Sequence, residues 1–216
     1  MFLPLLLLLH TVPAVRGPAL SAEIQHLQRM RTHDGLLKEV RYAERFTRSE
    51  ERIWMERVLP PETAEHESGS GHLHGEDLTT AARHLRLGED GQLRLEFVRR
   101  QDQVVFETET RDWSEVGFDG SWTRAFFLLD PVELSSLRPM RRKAPAGARW
   151  LVRENDREFY RVLWHERLAL PLLIESGRKD GSLYNRTQVR PHPVARTLPW
   201  SGLEGFRRRE YTDLLD

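Results

Sequence analysis

The chain has no cysteine, so neither disulfides nor thiolate metal sites nor a lipid on an N-terminal cysteine can shape it. An exported fold of this size must then be held by its core. It also has no surplus of charge: 33 basic and 33 acidic residues give a formal net charge of zero at pH 7. A balanced surface offers no positive field to phosphates, which argues against nucleic-acid binding. Lysine is scarce, confined to Lys38, Lys143 and Lys179, and arginine supplies the rest of the positive charge. That excess reads as composition and carries no function. Catalytic signatures are missing too. His165-Glu166-Arg167-Leu168-Ala169 starts like the zinc-protease His-Glu-x-x-His but has alanine where the second ligand must stand. Gly69-Ser70-Gly71 lacks the flanks of a nucleophile elbow, and no glycine cluster leads into a Walker lysine or a dinucleotide fingerprint. The expectation is a protein that is not an enzyme. Asn185-Arg186-Thr187 has the spacing of a glycosylation acceptor but falls inside an expected strand, and is read as chance.

Long apolar runs are absent except at the start, MFLPLLLLLHTVPAVRGPA, where Leu5 to Leu9 are consecutive leucines. This run is shorter than the roughly 20 residues of a membrane helix. It ends at Ala19-Leu20-Ser21-Ala22, a small-residue site for a signal peptidase, although the n-region has no Lys or Arg. The expectation is a signal peptide over residues 1–21, a mature chain starting between Pro18 and Glu23, and a periplasmic location. Residues 22–216 then form one domain.

Periodicity assigns the elements. Ser21 is placed to cap a short amphipathic helix from Ala22 to about Arg31, with Ile24, Leu27 and Met30 on one face. The period then becomes two: Leu36, Val40, Tyr42 and Phe46 share one side, as do Ile53, Met55 and Leu59 before Pro60-Pro61. Glu62 to Thr80 is polar, aperiodic and histidine-rich, a long loop. A meander follows: Leu85 and Leu87, the turn Glu89-Asp90-Gly91, then Leu93, Leu95 and Phe97, then a strand over Gln103 to Thr110. Ser121 caps a helix from Trp122 to Leu129, and Asp130-Pro131-Val132-Glu133 starts a second one. Pro139 to Gly147 reads as a basic connection. Strands resume at Ala148 to Arg153, Phe159 to His165, Leu170 to Ile174 and Ser182 to Val189. The tail from Pro191 is irregular, and its last leucines are placed to pack back on the sheet.

The stretch from Glu158 to Val189, EFYRVLWHERLALPLLIESGRKDGSLYNRTQV, resembles a hairpin series in one exported superfamily. It contains the lipoprotein carrier LolA, its receptor LolB and the envelope-stress regulator RseB. The order of a helix followed by long strands such as VRYAERF and IWMERVLP is similar as well. The resemblance covers about half of the chain and rests on strand order and turn chemistry. It implies a mainly β (α+β) fold, with a curved antiparallel sheet forming an incomplete barrel covered by short helices. It further implies an apolar cavity for an acyl chain or a partner, and no residue-level ligand motif carries over.

Two sets of site residues follow. Trp122, Phe126, Phe127, Trp150 and Trp164 are candidates to line a cavity for a lipid or lipoprotein acyl chain, with an envelope protein partner or a peripheral membrane contact as other uses. Core filling is the simpler role for each large aromatic. The second set is His66, His72, His74 and His84. His72 and His74 share a side if the segment is extended, and imidazole suits copper or zinc. A solvated loop that happens to be rich in histidine is the simpler reading there, since no complete zinc spacing is present.

Overall fold

In the computed structural model the described residues are 17–59, 78 and 80–214. They contain β1 (Leu20–Arg31), β2 (Leu37–Arg48), β3 (Arg52–Val58), β4 (Ala82–Leu87), β5 (Leu93–Arg99) and β6 (Val104–Thr108). Two short helices, α1 (Trp122–Phe127) and α2 (Pro131–Ser135), precede β7 (Arg138–Met140), β8 (Ala148–Glu154) and β9 (Glu158–His165). The chain ends through β10 (Leu170–Arg178), β11 (Leu183–His192) and β12 (Arg207–Glu210). All twelve strands form one sheet in the order β12-β6-β5-β4-β3-β2-β1-β11-β10-β9-β8-β7. It does not close, and with its helices it is a curved, incomplete barrel. The curvature is visible in the packing: Phe126 of α1 sits in one buried cluster with Phe97 and Phe106 from one wing of the sheet and Leu170 and Val189 from the other.

The first expected element is overturned. Residues 22–31 are not a helix but most of β1, which pairs with β2 from Leu20↔Arg48 to Arg31↔Leu37 and with β11 from Ser21↔His192 to Met30↔Leu183. The buried Leu20, Ala22 and Ile24 recur every second residue. Ile24, Leu27 and Met30 also fit a 3.6 period, and a segment this ambiguous is decided by the two long strands that flank it. Two more strands were not expected. β12 is Arg-Arg-Arg-Glu with no apolar alternation, and it pairs parallel to β6, the one parallel neighbour in the sheet. β7 lies within the stretch read as a connection and pairs with β8.

The helices start where their caps place them. Ser121 Oγ accepts from the Arg124 N–H at 3.1 Å, and Asp130 Oδ1 accepts from the Val132 N–H at 2.9 Å. α1 stops two residues early because Leu128 turns left-handed at φ 61°. The Asp90-Gly91 hairpin is as expected, with Gly91 at φ 73°.

Residues at the expected cleavage site are part of the sheet. Leu20 and Ala22 are buried, and Ser21 Oγ lies 2.9 Å from Thr47 Oγ1 inside the protein. A chain truncated to begin at Glu23 is therefore expected to be less stable than one beginning at Gly17 by about 3 kcal/mol, for one buried leucine and one buried hydrogen bond. At this size that is roughly 6–12 °C in melting temperature. Equal melting temperatures would show that this end is dispensable. The start of a processed protein is correspondingly expected at or before Pro18, which mass spectrometry of the envelope fraction reads directly.

Candidate functional site

Strand pairing sorts the side chains onto two faces. On the concave face β1 presents Ala22, Ile24 and His26, opposite Phe46, Glu44 and Tyr42 of β2 and Pro191, Val189 and Thr187 of β11. Ile53 and Met55 of β3 and Arg83 and Leu85 of β4 continue this face, as does Ile174 of β10 beside Thr187. The segment from Gly117 to Asp119 and the side of α1 carrying Arg124, Ala125 and Leu128 lie over it. Between them is a groove of about 360 Å³, near the lower end of the volumes typical of small-molecule sites. Its walls are largely apolar: Ile24, Ile53, Leu85, Phe118, Leu128 and Ile174 all contribute.

A few polar groups interrupt these walls. His26 Nε2 donates to Glu44 Oε2 at 2.8 Å, and His26 Nδ1 lies 3.3 Å from the Thr187 hydroxyl, which donates to it. Tyr42 stacks on the same imidazole at 4.4 Å between ring centres. Arg124 is held by Asp119 at 3.0 Å and Glu133 at 3.2 Å. Arg83 is different. Its Nη2 donates to the Val116 carbonyl at 3.3 Å, and no carboxylate lies within ion-pair distance of it among the described residues. Burial lowers its pKa from the ordinary arginine value, while the charge of Glu44 opposes that shift.

One buried arginine ties the cover to the sheet. Arg48, at the end of β2, has no exposed surface. Nη1 donates to the carbonyls of Phe126 at 2.5 Å and Ala169 at 3.1 Å, Nη2 to Leu168 at 2.5 Å and Nε to Pro18 at 3.2 Å. The guanidinium also lies 4.3 Å from the Phe126 ring centre. Four carbonyls and no carboxylate surround it, and burial lowers its pKa to about 10.

The sequence candidates fall into separate places. Trp122 and Phe126 are buried in the main core, where Phe126 is wholly inaccessible. Phe127 bridges to a second cluster and tilts against Trp164 at 6.4 Å. Trp150 is on the convex face: its strand partner is Leu163, whereas Trp164 stands opposite Arg149 on the concave side. Its indole N–H donates to the Lys143 carbonyl at 3.2 Å, and Arg142 covers the ring. None of these five lines the groove. His66, His72 and His74 lie outside the described residues. His84 is buried on the convex face, with Nδ1 2.9 Å from Glu96 Oε2 and its ring stacked with Trp200 at 6.1 Å and tilted against Trp54. No cluster of three metal-ligating residues occurs among the described residues. A metal site in the loop would thus draw on His66, His72 and His74, with His84 Nδ1 committed to Glu96.

The polar groups of the groove escaped the sequence reading because they come from distant strands. His26 and Thr187 are 161 residues apart. Only the alternation in β2, Tyr42, Glu44 and Phe46, signalled that a carboxylate would fall on an apolar face.

The fold and the groove together define an open, curved antiparallel sheet with a helical cover and an apolar hollow beneath it. No protein-family model matches the chain, and no curated protein matches it in sequence. Among solved structures it is similar to PNGF-II, at 10% identity over 91% of this chain and 33% of that one, with a TM-score of 0.39. It is similar to MucB at 13% identity over 86% of this chain and 56% of that one, with a TM-score of 0.43. A third similar structure is described as an outer membrane lipoprotein-sorting protein domain, from Vibrio parahaemolyticus. There the identity is 10%, the coverage 79% of this chain and 83% of that one, and the TM-score 0.27. The chain spans about a third of PNGF-II and about half of MucB. At these identities and scores no residue role passes to this chain. No helix among the described residues is long and apolar enough to cross a membrane.

Proposed function

We propose that the protein is an exported, periplasmic binding or carrier protein that holds one chain-like hydrophobic ligand, a lipid or an acyl chain, in the groove beneath α1. The observation that carries this reading is the groove itself: an apolar hollow of about 360 Å³ on the concave face, with a few polar groups at fixed positions. The export half rests on the leucine-rich start of the chain.

A binding role is favoured over catalysis by the surroundings of Thr187. Its hydroxyl, His26 and Glu44 form a hydroxyl–imidazole–carboxylate chain, the order of groups in a nucleophilic triad. Thr187, however, is in mid-strand, paired with His26 on one side and Ile174 on the other. Backbone N–H groups engaged in two ladders cannot turn toward a developing oxyanion. The chain of hydrogen bonds serves instead to fix the polar wall.

The test is mass spectrometry of an organic extract of the purified protein, together with displacement of a fluorescent fatty-chain probe. Ile174→Asp places a charge in the apolar wall and is expected to weaken probe binding at least tenfold, since an unpaired carboxylate in an apolar site is costly. Thermal melts must show the variant folded. A native protein that yields no lipid and does not bind the probe would leave the groove without this role and point to a protein partner.

A further inference from the structure

One arginine of the groove touches no carboxylate among the described residues, and its position names the ligand's head. Each carboxylate in the lining is engaged by another side chain: Glu44 accepts from His26 at 2.8 Å, and Asp119 meets Arg124 at 3.0 Å. Arg124 in turn is shared with Glu133 at 3.2 Å. Arg83 has one long bond to a backbone carbonyl and no acidic partner among the described residues. Arg83 itself is part of the groove's lining.

Arg83 feels the charge of Glu44 but touches no carboxylate among the described residues, so its desolvation is not offset by a direct pair. Its planar fork of N–H donors is shaped to hold a carboxylate through two parallel bonds. The rest of the groove is a run of aliphatic and aromatic side chains leading from Leu85 and Ile53, beside Arg83, across Ile24 to Ile174 on β10. A head at one end and an apolar track from it describe a single-chain amphiphile. The small volume excludes bulky, many-chained lipids from full enclosure.

We infer that the groove takes a fatty-acid-class ligand, with its carboxylate paired to Arg83 and its chain lying along the concave face toward Ile174. This rests on the groove being a site for a chain-like ligand, as proposed above, and adds the identity of its head group. Glu44 lines the same groove and is engaged by His26.

Calorimetric titration of the delipidated full protein with dodecanoate and with dodecanol, at neutral pH and below their aggregation limits, separates the two ideas. Dodecanoate is expected to bind at least tenfold more tightly than dodecanol. Arg83→Met is expected to remove this preference, and Arg83→Lys to retain part of it. Because Arg83 lies on β4, each variant is compared only if its melting temperature stays within a few degrees of the native protein. If Arg83→Met fails that check, Arg83→Lys together with the salt dependence of the native preference decides. Equal binding of acid and alcohol would overturn the carboxylate anchor and leave the apolar groove standing. Binding of neither would overturn the groove as a ligand site and the anchor with it.

Discussion

Replacing Arg48 by Met is expected to lower the melting temperature by roughly 6–12 °C, the consequence of losing about 3 kcal/mol of stability in a chain of this size. The side chain is fully enclosed and satisfies four carbonyls from three parts of the molecule: Pro18 ahead of β1, Phe126 at the end of α1, and Leu168 and Ala169 in the turn between β9 and β10. A methionine fills much of the volume but donates nothing, and each buried acceptor left alone costs about 1–3 kcal/mol. The sum is offset in part because the variant no longer has to desolvate a cation, a cost visible in the lowered pKa of the guanidinium. Arg48→Lys keeps the charge and loses the fork, so it is expected to fall between the two. Chemical and thermal unfolding of the three proteins measures the effect, and a Met variant within 2 °C of the native protein would mean that these contacts contribute little. The same residue ties the end of β2 to α1, so a loosened Arg48 variant is also expected to show faster hydrogen exchange in α1 than in β5.

What could be read from the sequence follows a physical division. Strands announced themselves through alternation, as in Leu93, Leu95 and Phe97, and the hairpin turn through Asp90-Gly91. The helix caps Ser121 and Asp130 were legible because a cap is a local chemical event. β1 was misread because His26 and Gln28 interrupt its apolar face, and the outer half of the hairpin is exposed. Leu36, Leu37 and Val40 are large apolar residues left on that outer half, and alternation has no meaning where neither face is buried. β12 was invisible for a related reason: its side chains are exposed, and it is held by backbone pairing with β6 and by ion pairs. Aromatic residues were a poor guide to the groove. Trp122 and Phe126 fill the core under the cover, while the hollow is lined by aliphatic residues, Phe118 and charged groups whose juxtaposition depends on strand order. His26, Glu44, Arg83 and Thr187 meet because β1, β2, β4 and β11 share one curved face, a fact of register that no short motif records.

Acid is expected to destabilise the protein in two steps, and both originate on the convex face. There Glu96, only 2% exposed, accepts from His84 at 2.9 Å, Arg86 at 2.6 Å and Arg208 at 3.0 Å, and Arg208 is shared with Glu107. Trp200 and Leu203 of the C-terminal segment pack over this cluster with Trp54. Burial lowers the pKa of His84, since a proton on its enclosed Nε2 would find no protein acceptor among the described residues; the bond to Glu96 works against this. The neutral imidazole donates from Nδ1. Burial alone would raise Glu96, but the bonds from His84 and Arg208, with the charge of Arg86, hold it down at about 2. The signs follow from linkage. Unfolded His84 titrates near 6.5 and binds protons before the folded one does, so stability falls as pH drops through 6.5. Unfolded Glu96 titrates near 4.5, so its contribution is complete above that pH and is lost as pH falls toward 2. The gap between 4.5 and about 2 is worth about 3 kcal/mol. Glu96→Gln should therefore melt roughly 6–12 °C below the native protein at pH 7 and approach it near pH 2. His84→Phe keeps an aromatic ring against Trp200 and should flatten only the limb that begins as pH drops through 6.5. Thermal melts from pH 8 to 2.5 distinguish the steps: a Glu96→Gln profile parallel to the native one throughout would mean that this carboxylate is not what makes the convex face acid-labile.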